Sequence, residues 1–565
     1  MSQIELLSPA GSMANLKAAV QKGADAVYLG MKRFSARDFA TNFNKEYLKE
    51  AVNICRSNNV KLYLAMNTLV KNHEIDDYFS QLSYAYSKGI DAVIIQEPSF
   101  IKIIKSSYPD LRVHMSTQAG VMNSAHASLL SKADRITLAR ELSKDEIITI
   151  RKNFKKELEI FCHGALCVSV SGSCLFSSLI GGRSGNRGKC AQPCRKRYNN
   201  QYLLSTKELC LINKVPEIEK IGINAIKIEG RMRTPYYVAT VTEIYRKALD
   251  SYYEGSFQIT KEMQKKLEDA FSREFTSGWF EQMDVFNPKK ADATINPNIV
   301  REEYKVQTKD IQIDRKTLKA QLPTILNKPS KEKLLLVRVY NENDAIAASE
   351  NGADIIYFDL FKEDFEDIKR KIKTKMYAVT PRIMLDSDKI GQSIKDKKPD
   401  GILAGNLGIL SLDLDLPIHL DYCLNVFNDI DIDSTKALPI ISPELSINEL
   451  RQLKNKNIIA FVHGKARLMT LRHRLKPGII MDERKIPFMV NNIPNGTEII
   501  NQKEFGLLSK SCQLLGAGIN KFYIDTEKDV GNMVKLYRNI LDGKKIDDEK
   551  IKNKYILAWA YRGVI

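Results

Sequence analysis

Long apolar runs are missing from this 565-residue sequence, and so is a recognisable leader. No stretch of about eighteen uncharged apolar residues occurs, as a membrane-spanning helix would need. The N-terminus lacks the basic, apolar and small-residue order of a secretion signal. We therefore expect a cytoplasmic protein with no membrane partner. The length and the 44% hydrophobic content predict two or three domains, each with its own core.

Sequence signatures of common hydrolases are absent as well. Neither His-Glu-x-x-His, which holds a catalytic zinc, nor Gly-x-Ser-x-Gly, which presents a nucleophilic serine, occurs in the chain. The glycine-rich stretch Gly181–Gly188 lacks the Gly-Lys-Ser/Thr ending of a phosphate-binding P-loop. We interpret this stretch as a flexible lead into Cys190.

Acidic residues are outnumbered by basic ones. The chain has 68 Asp and Glu against 86 Lys and Arg, which gives a formal net charge of +18. A balance of this sign favours a polyanionic partner such as RNA, because Lys and Arg neutralise phosphates. The alternative is a lysine-rich surface that is simply solvated, which is also common.

Cysteine is scarce outside one segment. Six of the nine cysteines fall between Cys162 and Cys210. In a reducing compartment, clustered cysteines bind metals or carry out redox chemistry more often than they form disulfides. We therefore expect a metal or redox centre in this segment.

The spacing of these cysteines narrows the choice of metal. From Cys167 to Cys194 it reads C-x6-C-x15-C-x3-C, in a loop rich in Gly and Ser that can enclose zinc or a 4Fe-4S cluster. Structural zinc sites favour C-x2-C pairs, which are absent here, so the spacing favours iron–sulfur. Cys162 and Cys210 adjoin apolar runs and are predicted to be buried neutral thiols. The cations within Arg183–Arg197 either offset a cluster's charge or bind phosphate.

Short apolar runs alternate with amphipathic stretches through the first half of the chain. Eight strands joined by right-handed helical crossovers predict a parallel, TIM-like (β/α)8 barrel. The predicted strands are Glu5–Leu7, Ala26–Leu29, Lys61–Met66, Ala92–Ile95, Arg112–Met115, Arg135–Leu138, Leu158–Phe161 and Ala225–Ile228.

Polar side chains follow several of these runs, where a barrel enzyme carries its active site. They are Asn67, Gln96, Gln118, Arg140, His163 and Glu229. A single polar residue at a strand end often caps a helix or orders a loop instead. Because all six would converge at one end of the barrel, we expect a functional site there.

The chain also repeats itself, and five segments return in the same order. The pairs are Lys22–Tyr28 with Asn351–Tyr357, Arg140–Ser143 with Pro443–Ser446, Phe161–Gly164 with Phe461–Gly464, Ile223–Glu229 with Ile519–Asp525, and Tyr245–Asp250 with Tyr537–Asp542. We predict a second, degenerate α/β barrel related to the first. The predicted boundaries are 1–284 for the first barrel, with a cysteine loop at 162–198, 285–332 for a linker or small bridging element, and 333–565 for the repeat.

The repeat serves as an internal control on what the fold needs. Arg467 and Arg474 stand where the first copy has Cys167 and Cys174, so the fold does not require the cysteines. Their presence in one copy is better explained by chemistry than by packing.

Two other features of the repeat bear on function. The His-Gly pair at His163 returns at His463, which favours a structural role for His163. The basic segment Lys465–Lys476 matches the cysteine loop in position, and it either docks RNA or is a solvated loop.

On its motifs, the first half of the chain resembles the collagenase-like peptidases of family U32. The motifs are Leu7–Gly11, Gly23–Tyr28, His163–Cys167 with Ser171–Cys174, Asn186–Cys190 and Lys227–Arg231. Members of this family include cluster-bearing proteins that hydroxylate tRNA wobble uridine, a 23S ribosomal RNA cytidine or ubiquinone precursors. The cysteine-free second barrel is most similar to the long ribosomal-RNA hydroxylation members.

The resemblance implies a 4Fe-4S cluster on Cys167, Cys174, Cys190 and Cys194, and prephenate as a metabolite required by the RNA-modifying branch. The expected partners are then RNA, either rRNA or tRNA, and a small carboxylate. No redox partner is indicated. We expect the cluster at the carboxyl-terminal end of the first barrel, in the long excursion between its seventh and eighth strands.

Roles for the polar residues follow from their chemistry. Arg37, Arg140 and Arg231 are candidates to bind a dicarboxylate, because guanidinium forks pair bidentately with carboxylates. Asn67, Gln96 and Gln118 suit a nucleobase or the metabolite through amide hydrogen bonds. Glu229, His163 and Arg231 are the catalytic candidates, with anchoring of Arg231 as the alternative role for Glu229.

Three other functions stay open at this point. A peptidase needs an activated nucleophile, and His163 near Cys167 imitates a Cys-His pair, but a thiolate bound to a cluster is not a free nucleophile. A cluster enzyme acting on a small aromatic quinone precursor and a non-enzymatic RNA-binding chaperone are the other two.

Overall fold

A computed structural model describes residues 3–271, 273–286, 303–313, 315–544, 555–557, 559–560 and 563–565. The strands of the first half are β1 (Glu5–Ala10), β2 (Ala26–Gly30), β3 (Lys61–Met66), β4 (Ala92–Ile95), β5 (Arg112–Met115), β6 (Arg135–Thr137), β7 (Glu157–Ala165), β8 (Glu208–Cys210), β9 (Ala225–Ile228) and β10 (Phe275–Thr276).

Eight of these strands form a closed parallel barrel. β1 to β7 pair in chain order, and β9 pairs with both β1 and β7, which closes the sheet on itself. β8 lies antiparallel to β7 and carries β10 on its outer side. The predicted (β/α)8 barrel is therefore confirmed, and each of the eight predicted apolar runs lies on a strand of its wall.

Helices cover the outside of this barrel, and several begin at a side chain that caps them. Asn44 and Thr234 accept the backbone N–H groups of Tyr47 and Tyr237, which satisfies donors that the first helical turn leaves free. None of the helices in the described ranges is long and apolar enough to cross a membrane. They are α1 (Met13–Gln21), α2 (Lys45–Ser57), α3 (Ile75–Ser87), α4 (Phe100–Ser107), α5 (Ser124–Leu129), α6 (Lys144–Asn153), α7 (Phe176–Gly181), α8 (Val215–Ile221), α9 (Pro235–Tyr253) and α10 (Lys261–Ala270).

An ion network fills the amino-terminal half of the barrel interior. Arg135 on β6 donates to Glu5 on β1 at 2.6 Å and to Glu159 on β7 at 3.4 Å. Lys227 on β9 donates to the same Glu159 at 2.9 Å. Buried charges of this kind need partners, so the strands are tied to one another across the interior.

The second half repeats the plan less regularly. Its strands are β11 (Leu334–Arg338), β12 (Ile355–Asp359), β13 (Lys375–Val379), β14 (Gly401–Ala404), β15 (Ile418–Leu420), β16 (Leu438–Pro439), β17 (Ala460–Gly464), β18 (Arg467–Leu471), β19 (Gly478–Met481), β20 (Pro487–Ile493), β21 (Gly496–Asn501), β22 (Phe505–Gly506) and β23 (Lys521–Asp525). Its helices are α11 (Glu342–Glu350), α12 (Phe365–Lys371), α13 (Ile390–Lys397), α14 (Asp429–Ser434), α15 (Ile447–Gln452), α16 (Ser511–Gly516) and α17 (Val530–Leu541).

These strands form two sheets. The larger has the order β16-β15-β14-β13-β12-β11-β23-β17-β22, and one parallel bridge between Ile440 and Ile459 joins its β16 and β17 regions. The smaller is an antiparallel sheet of order β18-β21-β20-β19. The predicted degenerate relative of the first barrel is confirmed, with its closing ladder reduced to that bridge.

Matched details relate the two halves. The register of β7 against β9 shifts between Phe161 and His163, and that of β17 against β23 shifts between Phe461 and His463. The hydroxyl of Tyr245 donates to the carbonyl of residue 162 at 2.7 Å, and that of Tyr537 donates to the carbonyl of residue 462 at 2.9 Å.

The excursions that follow β7 and β17 pair with each other. The N–H of Leu175 donates to the carbonyl of Leu468 at 2.7 Å, and that of Val170 donates to the carbonyl of Thr470 at 2.8 Å. An antiparallel bridge also joins residues 174 and 469. The antiparallel sheet of the second half therefore clamps the cysteine loop of the first.

The basic segment that was considered for RNA docking takes part in these contacts. Arg467 is 4% exposed, and Arg472 pairs with Glu146 of the first barrel at 2.5 Å. His473 packs against Phe286, with ring centroids 4.3 Å apart. Several of the basic side chains in this segment are therefore engaged in contacts within the protein, and the segment is not a continuous basic surface open to RNA.

Residues near the C-terminus also hold the cysteine loop. The N–H of Ile565 donates to the carbonyl of Gly182 at 3.0 Å, and the indole of Trp559 donates to the hydroxyl of Ser178 at 3.2 Å. The ammonium of Lys71 on the first barrel donates to the carbonyl of Val564 at 2.6 Å. Two separate segments of the second half therefore contact the loop.

We expect Gly464→Ala to destabilise the protein more than Gly478→Ala. Gly464 has a φ of +130°, and a Cβ there would lie 1.8 Å from the carbonyl oxygen of Asp525. Gly478 is the matched control, because its φ is +141° but no atom lies within 4 Å of an added Cβ. The control carries backbone strain alone, about 1–2 kcal/mol. Urea unfolding midpoints measure the difference, and equal shifts would contradict the steric explanation.

Candidate functional site

Four thiols lie in the excursion between β7 and β9. Cys167 is exposed, and Cys174, Cys190 and Cys194 are half-buried. Burial, with smaller contributions from the neighbouring Cys167 and Cys190, raises the pKa of Cys194 to about 12. Burial also raises the pKa of Cys174, again with contributions from Cys190 and Cys167. The four sulfurs are therefore close enough to act on one another electrostatically.

Backbone amides donate to these sulfurs. The N–H of Gln192 donates to Cys190 Sγ at 3.3 Å, and a backbone hydrogen bond from Ser169 lowers the pKa of Cys167. As the side chains stand, no three His, Cys, Asp or Glu groups in the described ranges converge on a single ion position. Four thiols from one loop with amide donors to sulfur are a donor set that fits an iron–sulfur cluster.

A carboxylate and three arginines lie at the carboxyl-terminal end of the barrel. Glu229, directly after β9, accepts hydrogen bonds from Arg140 at 2.7 Å and from Arg37 at 3.3 Å. Arg231 instead donates to the hydroxyl of Ser35. The structure thus brings Arg37, Arg140, Arg231 and Glu229 together, and the direct partners of Glu229 are Arg140 and Arg37 rather than Arg231.

The charges in this group are unequal. Burial alone would raise the pKa of Glu229, but Arg37, Arg140 and Arg231 outweigh it and bring the pKa to about 2. Three guanidinium groups therefore face one ionised carboxylate, which leaves two positive charges in a buried site. Glu229 at neutral pH holds and orients arginines, and it carries no proton to donate.

The arginine group and the thiols are neighbours. The charges of Cys167 and Cys190 raise the pKa of Arg37, after the larger effect of Glu229. Arg140 donates to the carbonyl of Ala165, two residues before Cys167. A cluster on the thiols would therefore lie beside the positively charged end of the barrel.

Amide side chains from the strand ends line the same region. Asn67 accepts the N–H of Ala36 at 3.2 Å and donates to the hydroxyl of Ser116 at 3.2 Å. Gln118 donates to the carbonyl of Asn67 at 3.4 Å. Gln96 is buried, and its Oε1 has no hydrogen-bond partner among the described residues. The amides of Asn67 and Gln118 thus already have protein partners, and the unpaired oxygen of Gln96 is shielded from solvent.

His163 lies in a different environment. It is 1% exposed and packs against Tyr237, Tyr245 and Phe275. Burial lowers its pKa to about 3, so the ring is neutral near pH 7. The described contacts of His163 are those of a core residue, and its role in catalysis stays a prediction.

Sequence reasoning missed two residues at this end of the barrel. Ser35 accepts from Arg231, and Phe39 is 56% exposed on the loop that also carries Arg37. The guanidinium of Arg183 lies 4.8 Å from the centre of the Phe39 ring. The sequence did place an aromatic residue, Phe39, two positions after the candidate Arg37. Apolar periodicity, however, gave no reason to expect the Phe39 ring at the surface.

Replacing Glu229 by Gln is expected to destabilise the protein in a pH-dependent way. The native pKa is lowered from 4.5 to about 2, so the carboxylate contributes about 3 kcal/mol of stability above pH 4.5. That contribution is lost as the pH falls through 2. The stability difference between wild type and Glu229→Gln should therefore be flat near neutral pH and shrink in acid.

Glu262→Gln is the control for this measurement, because Glu262 is an exposed residue of α10 paired with Lys266. We expect its effect to be small, because an ion pair between exposed side chains contributes little to stability. A Glu229→Gln variant as stable as this control near pH 7 would contradict the proposed charge compensation.

Comparison with known proteins adds the family. The model of peptidase family U32 matches residues 11–288. An uncharacterized protease of Methanocaldococcus jannaschii is 39% identical, over 50% of this chain and 74% of its own length. A tRNA hydroxylation protein of Bacillus subtilis is 34% identical, over 49% of this chain and 71% of its own length.

A third relative is longer. A 23S rRNA 5-hydroxycytidine synthase of Escherichia coli is 33% identical, over 48% of this chain and 43% of its own length. The U32 match spans β2 to β10, the four-cysteine loop and the arginine group around Glu229. The chain therefore belongs to peptidase family U32.

Proposed function

We propose that this protein hydroxylates a pyrimidine of RNA, in tRNA or in 23S rRNA, with a 4Fe-4S cluster on Cys167, Cys174, Cys190 and Cys194. One observation carries the proposal. Four neighbouring thiols lie at the same end of the barrel as a buried, positively charged site. Relatives named for tRNA and rRNA hydroxylation support the substrate class.

The arginine group suits a dicarboxylate co-substrate such as prephenate. Arg37, Arg140 and Arg231 exceed Glu229 by two positive charges, which matches the two negative charges of such a metabolite. Glu229 fixes the orientation of Arg140 and Arg37, so their remaining N–H groups are preorganised for the ligand. In this proposal Glu229 is a positioning residue.

The cluster, when bound, would supply a redox-active centre beside the substrate. The protein's own groups hold the reactants near it. The Oε1 of Gln96 is buried and unpaired, so it can accept an N–H of the base once the side chains that cover it move aside. The amide chain of Asn67 and Gln118 limits where the base or the metabolite can sit.

RNA would approach over the cysteine loop. Phe39, with Arg183 beside it, offers an exposed aromatic face on which an unpaired base can stack. Three basic residues follow Cys194. Arg195 donates to the carbonyl of Thr206, whereas Lys196 and Arg197 are exposed and can contact phosphates. The net charge of +18 adds long-range attraction for a polyanion.

Peptidase activity is the second candidate, favoured by the names of some relatives. Neither of the acid–base candidates predicted from the sequence, His163 and Glu229, suits the role of general base. His163 has its pKa lowered to about 3 and is buried among aromatic rings, and Glu229 is held by arginines. RNA hydroxylation therefore accounts for more of the site.

The direct test compares RNA nucleosides from cells with and without the gene. We expect hydroxylated pyrimidine nucleosides to disappear on deletion, to return with the wild-type chain, and not to return with Cys190→Ser. Cys512→Ser is the control, since Cys512 is an exposed cysteine outside the loop, and it should restore them. Unchanged hydroxylated nucleosides after deletion would exclude the proposal and leave peptidase or small-aromatic chemistry.

A second test concerns Phe39. Phe39→Ala should lower RNA hydroxylation about tenfold or more, because base stacking contributes about 1–3 kcal/mol, while iron content stays unchanged. Phe39→Tyr should retain most of the activity. Tyr47→Ala, at another exposed aromatic that is 50% accessible on α2, is the control. Equal activity of the Phe39→Ala and Tyr47→Ala proteins would rule out the stacking role.

A further inference from the structure

The cysteine-free second half contains a cavity at the carboxyl-terminal end of its own sheet. The cavity has a volume of about 350 Å³. Its floor is formed by the ends of β11, β12 and β23, at Arg338, Asp359 and Asp525. Its roof is formed by β20 and β21 of the antiparallel sheet, through residues such as Met489 and Ile500. A cavity of this size accommodates a small metabolite.

Most charged groups that line the cavity already have partners. Arg467 pairs with Glu498 at 2.9 Å and also with Asp525. Lys465 lies 3.5 Å from Glu527 at the rim. Asp359 accepts the N–H of Phe361 at 2.9 Å.

Arg338 is different. The last residue of β11, it is half-buried, and its guanidinium lies 5.6 Å from the centre of the Tyr340 ring. No described residue makes a hydrogen bond or an ion pair with that guanidinium. A guanidinium has five N–H donors in a planar fork, and leaving them unused beside a cavity is costly unless solvent or a ligand accepts them. The first barrel has Pro9 at the matching position of β1.

We propose that this cavity binds a small organic oxyanion, a carboxylate or a phosphate, on Arg338. The apolar body of the ligand would contact Tyr340, Phe361 and Ile493, and Asn491 offers an amide for further hydrogen bonds. Lys465 stands close enough to the site to add positive charge once the ligand is seated. The second half is then a ligand-binding unit as well as a clamp on the cysteine loop.

Matched probes test this proposal on the full-length protein. Benzoate and phenyl phosphate share a ring and differ in the oxyanion, and benzamide is the neutral analogue. By calorimetry, we expect at least one of the two anions to bind and benzamide not to bind. Whichever anion binds more tightly identifies the preferred oxyanion.

Variants locate the binding. Arg338→Gln should weaken binding of the preferred anion about tenfold or more, because it removes the charged fork. Arg338→Lys keeps the charge without the fork, so it should retain phenyl phosphate better than benzoate. Arg370→Gln, at an exposed arginine of α12 outside the cavity, is the control and should leave binding unchanged.

Three results would overturn the proposal. They are no binding of either anion to the wild type, undiminished binding to Arg338→Gln, and an equal loss of binding in Arg338→Gln and Arg370→Gln. All readouts are of binding, so they do not depend on whether the protein hydroxylates RNA.

Discussion

Backbone pairing between the cysteine loop and β18 is the contact on which the candidate site depends. The loop contains one short helix, α7, and otherwise has little regular structure of its own. Ordering such a segment costs conformational entropy that its own contacts do not offset. The hydrogen bonds from Leu175 to Leu468 and from Val170 to Thr470 supply partners from a rigid sheet. The cysteine-free excursion of the second half therefore supports the loop that carries the cysteines of the first.

Charge compensation at matching strands of the two halves is the second shared constraint. Glu229 follows β9, the last strand of the barrel wall, and Asp525 ends β23. In each case nearby arginines outweigh burial and lower the pKa of the carboxyl. The arginines come from different places, however: Arg140 and Arg37 follow β6 and β2, whereas Arg467 lies on β18. In the first half the arginines are in excess and face the thiols. In the second half Arg467 pairs with both Glu498 and Asp525, and Arg338, which also lowers the pKa of Asp525, faces the cavity.

Much of the wall of the first barrel was predictable because apolar periodicity and turn residues are local signals. The same holds for the internal repeat, whose matched segments lie at β7, β9, β17 and β23. Contacts between distant segments were not predictable in this way. Nothing in the segment around Arg467 indicates that it is buried against Glu498, or that Arg472 pairs with Glu146 on the other barrel. Sequence grouped Arg37, Arg140 and Arg231 correctly by chemistry, but it could not show that Glu229 binds the first two.

The measurement that tests the central claim most directly is metal and sulfide analysis of the full-length protein purified without oxygen. The account predicts about four irons and about four acid-labile sulfides per chain, a brown colour with broad absorbance near about 400 nm, and loss of both when any of Cys167, Cys174, Cys190 or Cys194 is replaced by Ser. Colourless protein that contains stoichiometric zinc, or iron content that survives all four replacements, would contradict it.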